Sequence, residues 1–163
     1  MPVEPEIVIG ELLRQKCQKL ATAESCTGGL LADTLTNVPG SSEYFIGGVV
    51  AYAYQAKVAL LHVSWDTLRI YGAVSRETVV EMARGVRAAL GADIGVSVSG
   101  IAGPGGGLPG KPVGTTWIGL SANDGDWARL FLCEGNRRTN KETSALAALQ
   151  FVLDYLNWKL VNG

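Results

Sequence analysis

Apolar positions recur along this chain with two different periods, and the alternation between them lays out a fold. Over residues 5–19, Ile7, Leu12 and Leu13 stand at helical spacing among polar residues, with Leu20 closing the run, which predicts an amphipathic helix. Residues 20–23 read as a short buried strand. Residues 27–37 carry Leu30, Leu31 and Leu35 on one side and predict a second helix that stops before Pro39-Gly40. The stretch YFIGGVVAY (44–52) is aromatic and β-branched, so it predicts a strand whose paired glycines permit a bend or a close approach. Helical spacing returns over 55–61 and 64–70. It is strongest after Ser75, a natural N-cap, where Val79, Val80, Met82, Ala83, Val86 and Leu90 share one face up to Gly91. DIGVSVS (93–99) predicts a strand, GIAGPGGGLPGKP (100–112) a loop, and residues 114–121 and 126–133 a hairpin about Asn123-Asp124-Gly125. A last helix over 138–156 is expected to turn Leu146, Leu149, Val152, Leu153 and Leu156 inward.

That order of elements predicts an α/β class chain: one domain over residues 1–163, an α/β/α sandwich with a mixed sheet and helices on both faces. With 163 residues, 47% hydrophobic and 18% charged, such a chain buries an ordinary core unaided. Fourteen basic against fifteen acidic residues leave a net charge of −1. No Lys or Arg gather beyond Arg137-Arg138 with Lys141 nearby, so a nucleic-acid partner is not expected. The first twenty residues lack the charge order of a secretory leader, and no run approaches the roughly 20 apolar residues that span a bilayer. A cytoplasmic protein without a membrane partner is expected. Cys17, Cys26 and Cys133 are odd in number and far apart, which suits reduced thiols. With His62 as the single histidine and three scattered cysteines, a zinc site is not expected.

Two constellations could carry chemistry. The stretch Ala23-Glu24-Ser25-Cys26-Thr27-Gly28-Gly29 sets a hydroxyl, a thiol and a second hydroxyl between a strand and a helix. Its amides would face whatever sits above the turn, which suits an activated nucleophile; Ser25 and Thr27 are equally suited to capping the helix. A Ser-His-Asp arrangement would need His62, which reads better as a structural residue near a helix end. A neutral lysine can replace histidine as base, and Lys57, shortly after the strand that ends in Tyr52, is the candidate; the competing reading has it reaching into solvent. The glycine-rich loop after Ser99 falls where ligands of open α/β sheets bind, or is simply mobile.

The blocks AESCTGGLLA, GSSEYFIGGVVAY, QAKVALLHV, GAVSRETVVEMARGVRAALGAD, VSGIAGPGGG, KPVGTTW and EGNRR occur in an order that resembles the C-terminal domain of the competence and damage-inducible protein CinA. Stand-alone members of that family include nicotinamide mononucleotide deamidases. The resemblance implies a metal-free Ser/Lys amidohydrolase, needing no cofactor, that converts the mononucleotide to nicotinic acid mononucleotide and ammonia. It implies Ser25 as nucleophile, Lys57 as general base and Tyr52 as a hydrogen-bonding assistant. Arg137 would hold substrate charge, Cys26, Thr27, Gly28 and Gly29 would form an amide cradle, and Ser99 and Gly100 would wall the pocket. Cys26 remains the rival nucleophile. The further domain of longer CinA proteins is not expected, and association with copies of itself is expected from family habit and from Trp65, Trp117, Trp127 and Trp158. Where many relatives carry Ser-Asn-Glu-Ala-Lys, this chain has Ala53-Tyr54-Gln55-Ala56-Lys57, and Asn136 replaces an aspartate before Arg137. Those departures leave open a second reading, a nucleotide-binding interaction module with weak or lost turnover.

Overall fold

The computed structural model describes residues 3–158 and 160. Helix α1 (Pro5–Lys16) starts on a proline, whose missing N–H is no loss in a first turn, and ends in left-handed Cys17. Strand β1 (Leu20–Glu24) is buried throughout and leads through the SCTGG turn into α2 (Leu30–Thr36). A single 3₁₀ turn, Ser41–Glu43, precedes β2 (Phe45–Val50). Three helices, α3 (Tyr54–Leu61), α4 (Trp65–Tyr71) and α5 (Arg76–Leu90), return the chain to β3 (Ile94–Gly100). The hairpin β4 (Thr115–Ala122) and β5 (Gly125–Leu132) then feeds α6 (Arg137–Leu156).

The five strands form one mixed sheet in the order β2-β1-β3-β4-β5. β1 runs parallel to both neighbours, and β3, β4 and β5 alternate in direction. Helices α1, α2 and α6 cover one face, around Ile9, Leu13, Leu31, Val96, Ile118 and Val152. Helices α3, α4 and α5 cover the other, around Ala21, Ala23, Leu61, Leu68, Met82 and Val86. The sandwich with helices on both faces is therefore the observed architecture.

The site edge follows from this topology. The chain leaves β1 toward β2 on one side and later enters β3 on the other, which opens a crevice at the carboxyl end of β1. β5 finishes at the same edge, because Leu132 pairs with Thr115 at the start of β4. The amino end of α6 is thus delivered beside the ends of β1, β2 and β3.

Most predicted elements appear within a few residues of their expected bounds, and the exceptions have physical causes. The second helix begins at Leu30 rather than at Thr27, because Gly28 and Gly29 adopt positive φ of 62° and 107° and keep the chain out of the helix. The close approach expected at the paired glycines is real: a Cβ on Gly48 would lie 2.2 Å from Thr22 Oγ1. On α6, Leu149, Val152 and Leu156 are buried, but Leu146 is 52% exposed and Leu153 only half-buried. At 100° per residue both fall on one rim of a buried arc that Ala145, Ala148, Phe151 and Tyr155 complete. Ser75 caps α5, accepting the Thr78 N–H at 3.2 Å.

Helix α3 lacks this device, since its N-cap position is Ala53, extended at φ −85° and ψ 163° with no side-chain bond to the helix. Restoring a hydroxyl with Ala53→Ser is expected to stabilise the protein by about 0.5–1 kcal/mol in urea unfolding; an unchanged or lower midpoint would show that the orphan amides are already well hydrated.

Candidate active site

Successive side chains of a strand point to opposite faces, and at the end of β1 this alternation separates two functions. Leu20, Thr22 and Glu24 face the α2 and α6 layer, whereas Ala21, Ala23 and then Ser25 face the layer of α3. Glu24 is 1% exposed, and its Oε1 accepts from the Thr27 hydroxyl at 2.6 Å and the Leu31 N–H at 2.8 Å. Its Oε2 accepts from the Ala32 N–H at 3.0 Å. The carboxylate thus satisfies the amides that open α2 and meets the positive end of that helix. Capping by Ser25 or Thr27 is therefore corrected. Residue Gly29 occupies the N-cap without any side-chain bond, and both hydroxyls are engaged elsewhere.

Ser25 is released for another partner. Lys57 lies in the first turn of α3, where side chains lean toward the helix amino end, so its stem runs back over the end of β2. Its Nζ is 2.9 Å from Ser25 Oγ, 2.8 Å from the Ala51 carbonyl oxygen and 3.1 Å from that of Tyr52. The residue is 0% exposed rather than reaching into solvent. Burial disfavours its charged form and lowers its pKa from 10.5 to about 8, against a smaller opposing effect of the neighbouring Cys26. Two of the three partners are carbonyls, which only accept. A neutral amine has two N–H bonds to give them, and its lone pair is then left facing the Ser25 hydroxyl.

A cleft of about 200 Å³ opens above this pair, lined by Ser25, Cys26, Tyr52, Lys57, Ala73, Val74, Ser99, Gly100, Ala102 and Arg137. Seven of the residues singled out in the sequence therefore meet at one place, contributed by the turns that follow β1 and β2, the end of β3, and the first turns of α3 and α6. Thr27, Gly28 and Gly29 do not line it: Thr27 is turned in to Glu24, and the glycines lie beyond the cleft. The amide cradle is smaller than expected, because the Ser25 N–H is held by the Val98 carbonyl and the Gly28 N–H by the Ser25 carbonyl. The Cys26 and Thr27 amides have no backbone acceptor among the described residues. Burial pushes the Cys26 thiol up to about 11, with Cys133 adding to the effect, which keeps it protonated at neutral pH. His62 sits exposed at the left-handed C-cap of α3, away from this cleft.

The rim is a tied structure. Arg137 donates to the Gly103 carbonyl at 2.7 Å and to the Tyr52 hydroxyl at 3.0 Å. Asn140, one turn on, donates to the carbonyls of Ala102 and Gly135, each at 3.0 Å. Tyr52 accordingly offers its carbonyl to Lys57 and its phenol, on a 59% exposed side chain, to Arg137; the phenol bonds neither Ser25 nor Lys57. Asn136 caps α6 by accepting the Thr139 N–H at 3.0 Å, a task asparagine and aspartate share. Tyr54 accepts the Ala73 N–H at 3.3 Å, and neither it, Ala53 nor Gln55 lines the cleft. Glu24, Asn140, Ala73 and Val74 were not assigned a role from the sequence. Only Glu24 had a local signal there, a carboxylate three residues ahead of Thr27 at a strand-to-helix turn.

A three-layer α/β fold with a buried serine–lysine contact at its topological switch defines the class. Residues 4–156 match the CinA C-terminal domain, and the chain belongs to that family. It is 47% identical over 161 residues to a CinA-like protein of Chloroherpeton thalassium, covering 96% of this chain and 38% of that one. With a CinA-like protein of Desulfosudis oleivorans it shares 53% over 146 residues, 89% of this chain and 35% of the relative. The chain thus spans little more than a third of the length of these curated relatives. Among solved structures, a competence-damaged protein (CinA) superfamily protein of Klebsiella pneumoniae superposes with a TM-score of 0.91 at 32% identity, over 95% of this chain and 97% of that one. A competence/damage-inducible protein of Agrobacterium tumefaciens gives 0.87 at 36% identity, over 96% and 98%.

Glu24→Ala strands one hydroxyl and two amides in the interior and is expected to lower stability by roughly 2–4 kcal/mol in denaturant unfolding, well beyond an ordinary surface cap. The depressed pKa of Lys57 sets a sign for a second comparison. Between about pH 8 and 10.5 the unfolded chain holds the proton that the folded one has released, so this lysine adds stability as pH rises. Relative to Lys57→Met, the wild type should gain up to roughly 3 kcal/mol between pH 6 and pH 10. Parallel stability profiles for the two proteins would mean that the amine is not desolvated.

Proposed function

We propose that the chain is an amidohydrolase of the serine–lysine type whose substrate is the carboxamide of nicotinamide mononucleotide. The observation that carries this reading is the buried 2.9 Å contact between Lys57 Nζ and Ser25 Oγ, with the two other amine positions held by carbonyls. Ser25 Oγ attacks the carboxamide carbon while Lys57 takes the hydroxyl proton. The Cys26 and Thr27 amides are the donors available on the nucleophile's own turn for the developing oxyanion. Collapse expels ammonia with the proton returned by Lys57, leaving an ester on Ser25. Water attacks that ester, gives its proton to Lys57, and the carboxylic acid departs as the serine recovers its hydrogen.

Nothing in this sequence of steps calls for a metal, and among the described residues no three His, Cys, Asp or Glu side chains gather to hold one. The protonated Cys26 thiol favours the serine as nucleophile. Arg137 places positive charge in the lining of the cleft, which suits a substrate that carries an anionic phosphate. The departures at Ala53, Tyr54 and Gln55 lie outside the lining and give no support to a module without turnover.

The test is ammonia release from nicotinamide mononucleotide by the purified protein. Ser25→Ala and Lys57→Met should each lower kcat/KM by at least about 10²–10⁴-fold, and chelator should leave the wild type unaffected. The rate should rise tenfold per pH unit and level off near pH 8, the value to which burial lowers Lys57. Retained turnover in Ser25→Ala would end the assignment.

A further inference from the structure

One cavity outside the nucleophile's cleft carries charge that the hydrolytic steps do not use. It measures about 440 Å³ and is lined by Leu30, Arg137, Arg138, Lys141 and Glu142. Arg137 lines both cavities and forms the wall between them. Arg138 is paired with Glu142 at 2.9 Å, whereas half-buried Lys141 has no ion-pair partner among the described residues. Its ammonium stands over the SCTGG turn, since a Cβ on Gly28 would meet Lys141 Nζ at 3.8 Å. The three cations fall within the first five residues of α6, whose first turn holds no acid. The amino end of a helix is itself positive, so cations there oppose its dipole unless an anion joins them.

We propose that this second cavity seats the phosphomonoester of the substrate, with Lys141 as the residue that selects a phosphorylated carboxamide over an unphosphorylated one; the proposal rests on the hydrolase reading above. The spacing suits it. The Gly28 N–H closes a turn onto the Ser25 carbonyl at 3.1 Å, and the ends of such a turn lie within about 7 Å. The turn that begins at Ser25 therefore ends under the Lys141 ammonium, so that one compact substrate can touch both. Arg137, with both terminal nitrogens already donating to Gly103 and Tyr52, serves as partition between the two cavities. Lys141 and the Arg138 fork present the compact and the planar donors that a dianionic phosphate accepts.

The experiment compares ammonia release from nicotinamide mononucleotide and from nicotinamide riboside in the wild type, Lys141→Met and Lys141→Arg. The kcat/KM ratio of mononucleotide to riboside is expected to fall about 30-fold in Lys141→Met, through KM rather than kcat, the effect of one charge-assisted hydrogen bond. Lys141→Arg should recover it to within about threefold. A ratio unchanged in Lys141→Met overturns the proposal. Should the wild type release ammonia from neither amide, the hydrolase reading has failed on its own, and the seat is judged by calorimetry with ribose 5-phosphate at fixed salt. Binding that weakens about 30-fold in Lys141→Met sustains the seat; no binding to the wild type, or equal binding to both proteins, overturns it.

Discussion

The structure depends most on how one strand ends. At the carboxyl end of β1 two consecutive polar side chains go to opposite sides of the sheet, and each is taken out of water. Glu24 fastens the start of α2, and Ser25 meets an amine on α3. Neither could do its work if the strand slipped by one residue, because period-2 alternation would exchange their faces. Pairing on both sides guards against that slip, since β1 is flanked along its whole length by β2 and β3. The core on either side, Leu20 with Ile9 and Leu13 below and Ala21 with Ala23 above, adds an apolar reason for the same register.

A lysine without a carboxylate partner in the interior is an uncommon thing for a fold to tolerate. Desolvation of this kind is strongly unfavourable for the ammonium and mild for the amine. The carbonyls of Ala51 and Tyr52 resolve the difference, because they give the neutral form two acceptors and leave its lone pair one direction to face. A carboxylate in place of either carbonyl would hold the ammonium and keep the amine from losing its proton. The small size of the surroundings matters as well: Ala21, Ala23 and Ala51 leave space for a long side chain to lie across the top of β1.

Much of the fold was legible in the sequence because each element carried its own period and its own punctuation. The run from Ser75 to Gly91 announced its cap, its apolar face and its stop, and it folded so. The site was legible as separate pieces. Ser25 and Lys57 are 32 positions apart, and no local pattern distinguishes a lysine that leans back over a strand end from one that reaches into solvent. What joined them was the resemblance, and the fold then supplied the contact. Glu24 shows the opposite failure: a carboxylate beside two hydroxyls reads as one more polar turn residue, and only burial with three donors reveals it as the cap. Leu146 was misplaced because a leucine on the rim of a broad helix face has the same spacing as one at its centre.

The hydrogen bonds of Arg137 and Asn140 have a mechanical meaning. They lash the glycine-rich segment, the strand-end tyrosine and the foot of α6 into one hoop. A hoop does not stretch at one point, so a guest too wide for the opening would have to break several bonds at once instead of nudging a single side chain. On the hydrolase reading, entry would work as a go/no-go gauge, with size discrimination at the doorway before any chemistry begins.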